Sequence, residues 1–98
     1  MKEKIETIIS KIKKKHADDP SINDDLDIIT AMLSKNAQST ITTLNELKEE
    51  EVDWICSLFP EISAVLKSQS FIDCINGLKS KFPSIDMQHW IEAAKQAK

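Results

Sequence analysis

Residues 49–66 read EEEVDWICSLFPEISAVL, and this stretch decides the fold. Its first apolar side chains recur at the spacing of one helical face, which passes through Val52, Ile55, Cys56 and Phe59. Three glutamates open this helix, where carboxylates meet the positive end of the helix dipole. Pro60 interrupts it, because proline lacks the N–H group that a helix interior needs. We expect a short second helix to follow, with an inward face formed by Ile62, Val65 and Leu66.

The same helical spacing of apolar residues occurs on both sides of this stretch. The further stripes are Ile5, Ile8, Ile9 and Ile12; Ile22, Leu26, Ile29 and Leu33; Phe71, Cys74, Ile75, Leu78 and Phe82; and Met87, Ile91 and Ala94. No segment alternates with a period of two, and the chain contains a single glycine, which argues against a turn-rich β fold. We therefore predict a single all-α domain over residues 1–98, a compact bundle of six or seven short antiparallel helices.

A five-residue pattern occurs twice in the chain. FPEIS at 59–63 and FPSID at 82–86 share F-P-x-I-[S/D]. Each copy follows one predicted helix and precedes another, as the joints of HEAT-like helical hairpins do. A chance repetition of a helix–proline–helix joint explains the pattern nearly as well, so both interpretations stay open.

Several residues predict where helices begin, end and meet. Asp19 suits an N-cap and Pro20 the first position of the second helix. We expect Asn36 to close that helix, and the third helix, about 37–47, to face inward through Ala37, Ile41 and Leu44. The isolated Gly77 indicates a close contact between helices.

Charge is distributed unevenly along the chain, whose net charge is −3. Residues 1–17 carry six lysines and two glutamates, whereas residues 18–66 carry eleven acidic residues and two lysines. Residues 67–98 carry five lysines and three acidic residues. The acidic middle segment fits either solvated helix faces or an anionic docking surface that would steer a basic partner toward it.

The carboxylates of the middle segment are the candidate partner-binding residues. Trp54 joins them because it lies beside an apolar stripe and next to three consecutive glutamates. Such a tryptophan either packs between neighbouring helices or anchors an interface, where this residue type is enriched. The candidate set is Asp18, Asp19, Asp24, Asp25, Asp27, Glu49, Glu50, Glu51, Asp53 and Trp54.

The chain contains no motif of catalytic chemistry. Cys56 and Cys74 lack the spacing of a metal site and lie on apolar stripes, so we expect buried, reduced thiols. His16 and His89 have no acidic or cysteine neighbours at a ligand spacing. We therefore expect a protein that is not an enzyme and has no catalytic residue, cofactor or metal. The lysines lack interleaved aromatic residues and no long apolar run or signal peptide is visible, which predicts a cytoplasmic protein that binds neither nucleic acid nor membrane.

From Leu47 onward, about half of the chain carries a pattern of core and joint residues. These are Glu50, Glu51, Ile55, Leu58, Phe59, Ile62, Ser63, Leu66, Ser68, Phe71, Ile72, Leu78, Lys81, Phe82, Pro83, Ile85, Asp86, Ile91 and Ala94. In these positions the chain resembles small all-α immunity proteins encoded beside bacterial contact-dependent or polymorphic toxins, especially those that neutralise EndoU-type ribonucleases. The resemblance implies a stoichiometric inhibitor without catalytic residues. Its implied partner is a basic C-terminal nuclease domain of a toxin, bound in a 1:1 complex.

A second class of function fits the same predicted fold. A small HEAT-like scaffold or regulatory adaptor would bind a peptide or a helix in an apolar groove. An exposed apolar patch of several hundred Å² would favour the adaptor. An acidic interface that is sensitive to ionic strength would favour the immunity protein.

Overall fold

The apolar stripes fold into seven α-helices without a strand, which confirms the predicted all-α bundle. The computed structural model describes residues 1–98. The helices are α1 (Lys2–Lys13), α2 (Ser21–Leu33), α3 (Ala37–Glu46), α4 (Glu49–Ile55), α5 (Phe59–Leu66), α6 (Gln69–Lys81) and α7 (Gln88–Ala97). A 3-10 turn, Cys56–Leu58, joins α4 to α5. No helix here has the length and apolar content needed to span a bilayer.

The joint between α4 and α5 lets an apolar stripe continue past a proline. Pro60 lies in the first turn of α5, where its missing N–H breaks no helical hydrogen bond. Phe59 and Ile62 are fully buried, and the buried face of α5 continues through Ser63. Because the side of α5 that carries Phe59, Ile62 and Ser63 faces the core, Val65 lies on the side that faces solvent, where it is 62% exposed. The expectation that Val65 faces inward is therefore wrong.

The centre of the core lies where α5 packs against α7. The buried Ser63 hydroxyl donates a hydrogen bond to the carbonyl oxygen of Ala94 at 2.6 Å. Beside it, the rings of Phe59 and Phe71 meet edge to face, with their centroids 6.0 Å apart. The buried apolar residues of all seven helices and their loops belong to one cluster of 21 side chains, so the fold has a single core.

Helices that are distant in the chain contact one another, as α2 does α5 and α3 does α6. In a linear stack of helical hairpins, each repeat would contact only its neighbours, so these contacts are not those of a linear stack. The Cα radius of gyration is 12.6 Å, close to the value of about 13 Å for a compact domain of 100 residues. The two F-P-x-I segments also differ in conformation, because Phe59 begins α5 whereas Phe82 follows the end of α6.

Polar side chains lie at the starts of α2 and α3. The Asp19 carboxylate accepts hydrogen bonds from the Ser21 N–H at 2.9 Å and from its hydroxyl at 2.7 Å. The N-cap of α2 is Pro20, so the prediction of Asp19 as N-cap and Pro20 as first helical residue is wrong by one position. Helix α2 ends at Leu33, and Asn36 accepts a hydrogen bond from the Ser39 N–H at 3.0 Å. The expectation that Asn36 closes α2 is wrong, since it is the N-cap of α3.

Helix α3 is buried mainly through threonines. Its buried residues are Thr40, Thr43 and Leu44. The Thr40 hydroxyl donates to the Leu33 carbonyl oxygen at 2.6 Å, which satisfies a carbonyl at the end of α2 and fixes the rotation of α3. Ala37 and Ile41 are consequently only half-buried, so the predicted inward face is wrong for these two residues.

Gly77 lies on the exposed side of α6. No neighbouring atom lies within 4 Å of the position that a Cβ would occupy. The close helix contact expected at this glycine is therefore absent, and nothing in the packing requires a residue without a side chain.

Replacing Gly77 by alanine should raise the free energy of unfolding by about 1 kcal/mol, because glycine loses more backbone entropy in a helix than alanine does. Chemical denaturation measures this change. The reciprocal control is Ala64→Gly on the exposed side of α5, which should destabilise the protein by a similar amount. A destabilising Gly77→Ala would contradict the packing described for α6.

Candidate partner-binding surface

The exposed face of α4 carries three carboxylates and a tryptophan. The helical repeat places Glu49 beside Asp53, and Glu50 beside Trp54. All four side chains are exposed, Trp54 by 37%. The opposite face of α4 lies in the core, so the helix presents one acidic side to solvent. The partial exposure of Trp54 favours the interface interpretation over burial between helices.

A shallow groove separates α4 from the loop between α6 and α7. Its volume is about 300 Å³, and its lining consists of Glu49, Glu50 and Asp53 from α4 and of Ser84, Ile85 and Asp86 from the loop. Ile85 is buried and so anchors the loop to the core. We call this feature, with its four carboxylates, the acidic groove.

Asp86 belongs to the acidic groove but is absent from the candidate residues of the sequence. It lies in the C-terminal segment 67–98, whose net charge is positive. Only the packing of the α6–α7 loop brings it to α4. The F-P-S-I-D segment indicates a joint after a helix, but no local pattern relates that joint to residues 49–53.

One lysine reaches the edge of the acidic groove. The Lys13 Nζ lies 2.7 Å from Glu50 Oε1. The Glu50 side chain is 68% exposed and that of Lys13 35%, and an ion pair this solvated contributes about 0–1 kcal/mol to stability. A cation on a partner can therefore replace Lys13 at Glu50 with little loss of folding stability.

Glu51 is a structural residue, although it was a candidate for partner binding. It is buried, and its Oε1 accepts a hydrogen bond from the Lys48 N–H at 2.8 Å, which satisfies a free donor at the start of α4. Its carboxylate also meets Glu6 of α1. The hydrogen bond with Glu51, followed by the loss of hydration, raises the pKa of Glu6 above its ordinary value.

Asp25 is likewise a structural residue. It is buried, and its Oδ2 lies 2.5 Å from Lys15 Nζ, with Lys11 Nζ 3.7 Å from its other oxygen. Lys15 also donates to the Ser21 hydroxyl at 2.8 Å. The hydrogen bond from Lys15 lowers the pKa of Asp25, and the hydrogen bonds from Ser21 lower the pKa of Asp19. These groups fasten the end of α1 to the start of α2.

The acidic candidates do not form one surface. Helix α1 packs on both α2 and α4. Lys13, its last residue, pairs with Glu50 of α4, and Lys15, two residues later, pairs with Asp25 of α2. Asp18, Asp24 and Asp27 are exposed, but they belong to α2 and the connection before it rather than to α4. Asp25 and Glu51 are buried, so of the nine candidate carboxylates these two do not face a partner.

The two cysteines are unpaired, Cys56 buried and Cys74 half-buried. Burial raises the pKa of both thiols, so both are protonated and poorly nucleophilic near neutral pH. No group of three or more His, Cys, Asp or Glu side chains is arranged to hold a metal ion.

No known protein family, curated protein or solved structure matches the chain. The acidic groove is concave, anionic and only lightly neutralised, and an exposed indole lies beside it. These properties suit the binding of a cationic protein surface.

Asp25→Asn should lower the melting temperature by about 5 °C or more, because it leaves Lys15 without its anion. The control is Asp24→Asn, which removes the same charge from an exposed neighbour and should change little. The pKa of Asp25 is lowered in the folded state, so its contribution is present above the unfolded value of 3.8 and is lost as the pH falls through the folded value. Equal melting temperatures for the two variants at pH 7 would contradict the structural role of Asp25.

Glu6→Gln should raise the melting temperature at pH 7, because the amide keeps a donor for Glu51 and removes one of two neighbouring carboxylates. The pKa of Glu6 is raised in the folded state, so its favourable contribution is present below the unfolded value of 4.5 and is lost as the pH rises through the folded value. The gain from the substitution should therefore vanish in acid. Glu3→Gln, at an exposed position on the same helix, is the control, and an equal gain there would argue against the Glu6–Glu51 contact.

Proposed function

We propose that this protein is an immunity protein of a bacterial contact-dependent growth inhibition or polymorphic toxin system. It binds the nuclease domain of a cognate toxin and covers that domain's basic active-site surface. The acidic groove of α4 and the α6–α7 loop, with Trp54 beside it, is the observation that carries the proposal.

Charge complementarity supports this assignment. A nuclease binds a polyanionic substrate, and its cleft is consequently lined by cations. In the groove, Asp53 and Asp86 flank the α4 glutamates and present carboxylates to a concave surface, as the phosphates of a nucleic acid would. Complementary charge of this kind increases the association rate and selects the partner. Trp54 adds the apolar area on which interface stability usually depends.

The mechanism is stoichiometric occlusion. One immunity protein covers one nuclease domain, excludes RNA from its cleft and forms no covalent bond. It uses neither a catalytic residue nor a cofactor. Its place of action is the cytoplasm, where an incoming nuclease would meet its substrate.

The direct test is neutralisation of the toxin domain encoded immediately upstream, as the C-terminal part of a large secreted protein. Co-expression should rescue growth, and the purified proteins should form a 1:1 complex in which RNA cleavage is blocked. Absence of such a neighbour, or a nuclease domain that remains active at saturation, would contradict the proposal.

Neutralising the groove should slow association with that toxin domain. The variant Glu49→Gln/Asp53→Asn/Asp86→Asn should lower the association rate constant at least about tenfold at low ionic strength, where charges are least screened. Stopped-flow tryptophan fluorescence, which reports Trp54 and Trp90 together, measures the rate.

The matched control is Asp18→Asn/Asp24→Asn/Asp27→Asn, which removes the same charge from α2 and the connection before it. It should slow association about threefold or less, through net charge alone. Equal effects of the two triple variants would place the interface elsewhere. Tight binding whose association rate changes neither with salt nor in either triple variant would favour the alternative function, an adaptor that binds an apolar segment.

Trp54→Ala should weaken the complex at least about tenfold, mainly through faster dissociation. A central aromatic anchor affects the lifetime of the complex more than the rate of association. Surface plasmon resonance separates the two rates. The control is Val65→Ala on α5, a side chain that is more exposed than Trp54 and lies away from the groove. An unchanged dissociation rate for Trp54→Ala would mean that the tryptophan does not contribute to the interface.

A further inference from the structure

The exposed face of α2 carries a row of four side chains with charges at its ends. Asp24, Ile28 and Ala31 lie on one row of α2, and Lys35 follows Ala31 by four residues. All four are exposed, and Ile28 is 50% exposed. Lys35 lies two residues beyond Leu33, where α2 ends. The row is therefore acidic at one end, apolar in the middle and basic at the other end.

An apolar groove runs along this row, between α1 and α2. Ile8 of α1 and Ile28 and Met32 of α2 line it over about 530 Å³. A second hollow of about 280 Å³ continues it through the shared Lys4 and Met32 to Lys35 and the exposed Met1. Half of the large apolar side chains that the protein exposes thus lie along one groove, which nothing in the chain covers.

The charges along this row match those of a second copy that runs in the opposite direction, with each acidic end facing a basic end. Because the intervals of four, three and four residues read the same from either end, a second α2 running antiparallel would meet the first in register. Asp24 would then lie opposite Lys35 of the partner subunit, and Ile28 opposite Ala31 of the partner subunit. The two-fold axis repeats each pair, as an isologous contact requires.

We propose that two copies of this chain associate through the exposed face of α2, antiparallel and about a two-fold axis. Ile28, Ala31 and Met32 form the apolar centre. Asp24 and Lys35 form the two flanking ion pairs, and Lys4 adds positive charge at the Lys35 end. Parallel packing would bring like charges together at both ends, so the charge pattern selects the antiparallel arrangement.

The dimer is weak and leaves the acidic groove free. A contact made by one helix row and its flanking groove is small, which is typical of transient association in the micromolar to millimolar range. The acidic groove shares no lining residue with the apolar groove, so a dimer presents two acidic grooves. The exposed Asp24 then serves self-association rather than the acidic groove.

Sedimentation equilibrium of the full chain, from about 10 μM to 1 mM, tests the association. The wild type should show a reversible monomer–dimer equilibrium, and Ile28→Asp should remain monomeric over this range. Val65→Asp, which introduces the same charge at an exposed apolar side chain of α5, should dimerise like the wild type. A wild type that is monomeric throughout, or a dimer insensitive to Ile28→Asp, would overturn the proposal.

A charge exchange tests the antiparallel register. Asp24→Lys and Lys35→Asp should each weaken the dimer at least about tenfold, because each variant creates two like-charge contacts across the axis. The double variant Asp24→Lys/Lys35→Asp should restore the affinity of the wild type. Because both residues are exposed, circular dichroism should show an unchanged helical content. A double variant weaker than either single one would overturn the proposed pairing.

Discussion

Lysines at the end of α1 and in the turn after it pair with carboxylates of two other helices. Lys15 contacts the buried Asp25 of α2, and Lys13 contacts the exposed Glu50 of α4. The first contact is largely buried and joins the turn after α1 to α2, whereas the second is exposed to solvent. Each acidic segment therefore combines a buried carboxylate that serves the fold, Asp25 or Glu51, with exposed carboxylates. On α4 the exposed carboxylates line the acidic groove.

Helical periodicity was sufficient to predict the helices and most of the core, because each stripe has to be buried against another. It could not predict the rotation of a short helix whose inward face is partly polar. In α3 the hydrogen bond from Thr40 to the end of α2 decides which side is buried, and in α5 the contact between Ser63 and Ala94 turns Val65 outward. Both hydrogen bonds join residues of different helices, so no local pattern contains them.

The candidate site was harder to predict than the fold, for a related reason. Asp24 and Asp25 are neighbours of the same type, but a turn of about 100° around the helix axis separates a solvated carboxylate from a buried one. Glu50 and Glu51 differ in the same way. Asp86 enters the groove only through the packing of a distant loop. Charge counted along the sequence therefore singled out the residues of α4 but mixed buried, hydrogen-bonded carboxylates with exposed ones.

If the acidic groove is the surface that meets the toxin domain, binding should change the environment of its backbone amides. Chemical shifts of the ¹⁵N-labelled protein, recorded with and without one equivalent of that domain, measure this change. We expect the largest shifts at residues 49–54 and 84–86, with the outer face of α2 nearly unchanged. Changes concentrated on α2 or on the exposed side of α5, with α4 undisturbed, would contradict this role of the groove.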